Sequence, residues 1–158
     1  MSYQELTAKQ RLEILQSSKV VAMVGVSSNR SRASYFVASY LKGGEYYKVY
    51  YVNPMIDTLF DEKVYASLKD LPEKPDIVDV FRKPADTPAV LDEAIEIGAK
   101  TIWLQLGITN DEVAQRGTDA GLNVVMNRCL KIEHARFHGG LHLAGFNTGV
   151  INSKRAIR

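Results

Sequence analysis

The residues best suited to chemistry sit in short polar stretches that follow apolar runs. The first reads Gly25-Val26-Ser27-Ser28-Asn29-Arg30-Ser31-Arg32. A glycine lets the chain turn sharply, and backbone N–H groups ahead of a helix cradle phosphate oxygens. Ser27 and Ser28 add hydroxyl donors, and Arg32 adds charge. Together they predict a phosphate site, against the plainer reading of a solvated loop. The stretch is not the G-x-G-x-x-G dinucleotide fingerprint, because the second and third glycines are absent. Nor is it a P-loop, because no Gly-Lys-Ser/Thr follows.

Three further stretches have the same character. Asn53-Pro54 follows the run Lys48–Val52. NAD-binding domains usually place an acid there to hold the ribose hydroxyls, and Asp57 is too far along to serve. That counts against NAD and is neutral for a ligand whose ribose is phosphorylated. Phe81-Arg82-Lys83 offers a ring and two cations to a nucleotide, where surface charge is the plainer reading. Gln105-Leu106-Gly107 includes a glycine that would let a ligand approach the backbone.

A last stretch, Asn127-Arg128-Cys129, carries the only thiol. His134, His138 and His142 follow at four-residue spacing, the helical interval at which two side chains can share a metal. Gly139-Gly140 should break a helix before His142, and there is no second cysteine, so no metal site is expected. Cys129 and His134 on one element make poor geometry for nucleophile and base. No Tyr-x-x-x-Lys or comparable hydride-transfer set is present. No catalytic residue is assigned.

These stretches need a frame that gathers them. Val20–Val24 is apolar without alternation, as in a strand covered on both faces. Lys48–Val52, Ile77–Val80, Thr101–Leu104 and 124–126 are the other predicted strands. Helices are predicted from Ser2 or Thr7 to about Ser17, over 33–41 with Gly43-Gly44 as stop, and from an N-cap at Thr87 to Gly98. Two more run from Asn110 to Gly121 and over 130–137, with a short turn of helix at 67–71. Strand and helix in alternation predict an α/β, Rossmann-like open parallel five-stranded sheet with helices on both faces. Ligands then sit at the carboxyl ends of the strands, where the polar stretches fall.

The 158 residues suit one domain, with a core over about 18–137 and a C-terminal extension over 138–158 whose last residues are expected to be mobile. A hydrophobic share of 46% marks a globular protein, and a net charge of +2 argues against nucleic acid as partner. The tyrosines Tyr46, Tyr47, Tyr50 and Tyr51 are accordingly assigned to strand and core. A lone cysteine excludes an internal disulfide and fits a reducing compartment. With no membrane-length apolar run and no signal peptide, the cytoplasm is the expected location. A protein partner or a second copy of the chain is compatible with all of this.

In order along the chain, Val24-Gly25-Val26-Ser27, Arg32-Ala33-Ser34-Tyr35, Val52-Asn53-Pro54 and Val64-Tyr65-Ala66-Ser67-Leu68 form one half of a recognisable pattern. Asp76-Ile77-Val78-Asp79-Val80-Phe81-Arg82, Trp103-Leu104-Gln105-Leu106-Gly107-Ile108 and Cys129-Leu130-Lys131-Ile132-Glu133-His134 form the other. Over about 20–136 the chain resembles the CoA-binding domain proteins related to the N-terminal domain of the succinyl-CoA synthetase alpha subunit, especially their small stand-alone members. The resemblance implies a coenzyme A or acyl-CoA site, with Gly25, Ser27, Ser28 and Arg32 at the phosphates. It puts Asn53 and Pro54 at the adenosine end. Phe81, Arg82, Lys83, Gln105 and Gly107 would flank the nucleotide and pantetheine path. Cys129, after the fifth strand, would lie near the CoA thiol, where a reversible mixed disulfide is open to it, against the plainer and commoner reading of a buried cysteine that packs as a small apolar residue.

Two departures stand out: Asp61 where relatives usually have glycine, and Asn29-Arg30-Ser31 where they often carry proline. Ligase activity in relatives needs further domains and a phosphohistidine segment that this length of chain lacks, so none is carried over. The leading expectation is a carrier, sensor or partner subunit. The alternative is an NAD(P)-dependent oxidoreductase, with Arg30 and Arg32 meeting a 2′-phosphate.

Overall fold

An uninterrupted apolar run satisfies its backbone and buries its side chains only in the middle of a sheet. In the computed structural model, which describes residues 2–138, Val20–Val24 (β1) takes that place. Lys48–Val52 (β2) pairs parallel on one side of it and Ile77–Val80 (β5) parallel on the other. Thr101–Leu104 (β6) and Asn123–Val125 (β7) extend the β5 side. Beyond β2 lie Glu62–Tyr65 (β4), parallel to it, and Thr58–Leu59 (β3), antiparallel to β4. The order is β3-β4-β2-β1-β5-β6-β7.

The helices are Ala8–Ser17 (α1), Ala33–Gly44 (α2), Thr87–Ile97 (α3), Asp111–Asp119 (α4) and Leu130–His138 (α5). Side chains of α1, α2 and α5 share one core with Val21, Met23 and Trp103. Those of α3 and α4 share the other with Ala22, Val78 and Ile102. Alternate residues of one strand thus feed opposite layers.

The sheet has seven strands, where five were expected. The two extra ones form a hairpin whose two-residue turn, Phe60-Asp61, has φ of 54° and 62°. Both values lie in the left-handed region that primed hairpin turns require. Asn-Gly would have announced it, but Phe-Asp does not, and a two-residue strand is too short to show alternation. The position where relatives carry glycine is therefore a left-handed one, occupied here by aspartate.

Helix ends differ in detail from the sequence reading. Thr7 caps α1 in a reciprocal box with Gln10, at 3.2 and 2.8 Å. α2 runs through Gly43 and Gly44 and stops at Glu45, which is left-handed with φ 53°. Asp86, not Thr87, is the N-cap of α3, because a 3-10 turn over Pro84–Asp86 feeds directly into it. The proposed turn of helix at 67–71 is a 3-10 turn over Leu68–Asp70. The expectations for 139–158, His142 among them, lie outside the described residues.

Two buried polar features stand out in the α1–α2–α5 layer. Arg11 Nε donates to Glu133 Oε1 at 2.6 Å, joining α1 to α5, and Arg136 approaches the other oxygen at 3.4 Å. Asp79 lies in register between Met23 and Trp103, fully buried, with no hydrogen-bond partner among the described residues for either carboxylate oxygen. Burial holds its pKa well above the usual carboxylate range.

Candidate functional site

The chain leaves β1, pairs to one side through β2, and returns to the other side as β5, so strand order reverses between β1 and β5. At that point the chain turns on Gly25, whose φ is 88°. A Cβ there would stand 2.9 Å from Arg82 Cδ and 3.3 Å from the carbonyl carbon of Phe81. Conformation and close approach both call for glycine.

The loop that follows is built from its own hydrogen bonds. Ser27 N–H donates to Ser34 Oγ, Asn29 N–H to Ser27 Oγ, and Ser31 N–H to Asn29 Oδ1, each at 3.0 Å. Arg32 is the N-cap of α2 but gives it no side-chain cap; Tyr35 N–H turns back to Arg32 O at 3.0 Å, and ahead of it Ala33 and Ser34 line the cleft. Gly25 N–H donates to Val52 O at 2.8 Å, and Asn53 Nδ2 to Val26 O at 2.7 Å, fastening this loop to the end of β2. Asn53 Oδ1 accepts Met55 N–H at 2.8 Å, so the Asn53 amide acts first as a brace.

A cleft of about 840 Å³ runs over the ends of β2, β1, β5 and β6 to the start of α5. Gly25, Ser27, Ser28, Arg32, Asn53, Pro54, Phe81, Arg82, Lys83, Gln105 and Cys129 line it. Gly107 does not. Its φ is 87° and its N–H donates at 2.7 Å to Oδ1 of Asn127, itself left-handed at φ 60°, so it shapes the loop while Leu106 and Ile108 face the cleft. A hollow of about 300 Å³ adjoins, sharing Pro54, Arg82 and Asp86 with the cleft and lined by the small residues Ala66, Ser67, Ala85 and Ala89.

Charge is uneven along the cleft. Arg32 and Lys83 make no ion pair among the described residues, while Arg82 is 3.3 Å from Asp86. Gln105 is buried, and its Oε1 accepts the Leu130 N–H at 3.0 Å, tying β6 to the start of α5. Cys129 is half-buried. His134 is not in the cleft: its Nδ1 shares a hydrogen bond with Tyr40 OH at 2.8 Å, and Tyr46 packs on its ring. The sequence reading passed over Met55, Ile56, Leu106, Ile108 and Ile132, which supply the apolar lining, because apolar residues read as core by default.

The CoA binding domain family matches residues 19–135. The chain belongs to the CoA-binding domain family. Within this family setting, a Bacillus subtilis (strain 168) protein, "Uncharacterized protein YneT", is 38% identical over 123 residues, covering 78% of this chain and 90% of the relative. The solved structure of a hypothetical protein from Pyrococcus horikoshii OT3 is 37% identical with a TM-score of 0.81, over 88% of this chain and 99% of that one. The Archaeoglobus fulgidus acetate–CoA ligase [ADP-forming] II is 28% identical over 86% of this chain. The match spans only 19% of that ligase. The small CoA-binding domain thus has relatives of its own size and a counterpart inside a much larger enzyme.

Proposed function

We propose that the protein binds coenzyme A or one of its thioesters in this cleft, as a carrier, sensor or partner subunit. The observation that carries the reading is the gathering of Arg32, Arg82, Lys83 and the uncapped start of α2 at the point where strand order reverses. Phosphates are held there by charge and backbone N–H groups. The hollow beside Pro54 and Ala66 takes the adenosine end. The pantetheine arm runs the other way, past Phe81 and Gln105, and brings its thiol toward Cys129. The family membership and the identity shared with the acetate–CoA ligase support this reading.

The oxidoreductase alternative gains nothing from the comparisons. In addition, Asn53 stands where an NAD-binding domain carries its acid, and its amide is already committed to Val26 and Met55. Among the described residues no helix is long and apolar enough to cross a membrane, and no cluster of metal-ligating side chains occurs. Calorimetry with CoA, NAD and NADP side by side tests the proposal. CoA should bind tightest, and tighter binding of either dinucleotide overturns it.

A further inference from the structure

We infer that the site prefers CoA thioesters of uncharged, apolar acyl groups to free CoA. The inference rests on the CoA reading and concerns the far end of the same cleft. Its charged lining residues, Arg32, Arg82, Lys83 and Asp86, all belong to the loops after β1 and β5. The end formed by β6 and α5 presents Leu106, Ile108, Cys129 and Ile132, with no charged side chain in its lining among the described residues. Leu106 is 64% exposed and Ile132 52% exposed. Neither is needed by the cores, and both line the cleft where a group attached to the thiol would emerge. β1 and β7 are three strand spacings apart, about 14 Å, a distance an extended pantetheine arm spans.

Such a wall discriminates by length and by charge. It covers an acyl chain on one side, so each methylene should strengthen binding about twofold, roughly half the effect of full burial. A terminal carboxylate would meet no cation in the described lining and would lose hydration against Leu106 and Ile132. With four more methylenes, hexanoyl-CoA should therefore bind about fifteenfold tighter than acetyl-CoA, and succinyl-CoA no tighter than CoA.

The test is calorimetry of the full chain with CoA, acetyl-CoA, hexanoyl-CoA and succinyl-CoA, repeated on Leu106→Ser and Ile132→Asn. Both side chains are largely exposed, so the variants should keep the parent Tm. The hexanoyl-to-acetyl affinity ratio should fall toward one in each. Equal affinity of the parent for acetyl-CoA and hexanoyl-CoA overturns the acyl preference alone, as does a ratio that neither variant moves. If none of the four ligands binds, the CoA reading itself falls, and the acyl preference with it.

Discussion

Arg32 stands at the start of α2, lines the cleft, and meets no carboxylate among the described residues within ion-pair distance. A charged hydrogen bond to phosphate contributes about 1.5–3 kcal/mol. Arg32→Ala should therefore weaken CoA by tenfold or more in calorimetry while leaving the unfolding midpoint unmoved. A drop in Tm with unchanged affinity would make the residue structural. Asp79 is a different kind of residue, a carboxyl sealed in β5 with no hydrogen-bond partner among the described residues. Its folded pKa is raised, so the folded state holds a proton that the unfolded chain releases near pH 4. Its favourable contribution is complete below that pH and is lost as pH rises toward the folded pKa. Urea unfolding across a pH series should show the parent losing stability relative to Asp79→Asn as pH increases. A constant difference would mean the carboxyl is ionised or solvated. The charged residues of the cleft and Gly25 were legible in the sequence because they stand together just after apolar runs, whereas Gly107, read the same way, shapes its loop without lining the cleft. Leu106 and Ile132 were not, because nothing in a leucine or isoleucine says which way it faces.

Among the elements, the central strands and all five helices follow from apolar runs and end signals. The misreadings came where an ordinary residue does a special residue's work. Glu45 ends α2 in the left-handed region, with its N–H donating to Leu41 O at 3.2 Å, a role usually taken by glycine. Glu45→Gly should raise stability by about 1 kcal/mol, the scale of the left-handed penalty it relieves. A denaturant midpoint that moves down instead would show that the Glu45 side chain contributes more than its backbone costs. The hairpin of β3 and β4 escaped notice for the same reason. Phe60-Asp61 turns the chain through two left-handed residues without the sequence signal for doing so. Thr87 misled by one position because Pro84–Asp86 already coils, which places the cap at Asp86.

For the molecule as a whole, the sheet with helices on both faces and the strand-end cleft were readable from the alternation of elements, but the ties that fasten α1 to the rest were not. The buried pair of Arg11 and Glu133 bears on this. Arg11 precedes the stretch shared with the family, which begins at residue 19, whereas Glu133 lies within it. A chain cut at residue 19 would leave Glu133 buried with Arg136 as its one cation among the described residues, and would uncover the core contacts of Ile14 and Leu15. Removing one partner of a buried ion pair costs about 3–5 kcal/mol. The 19–138 piece should therefore unfold at much lower urea than 2–138, and equal midpoints would show α1 to be an ornament. The family match thus begins past the helix whose Arg11 answers Glu133. A segment grafted elsewhere from residue 19 onward would carry with it a buried glutamate and leave behind the arginine that answers it.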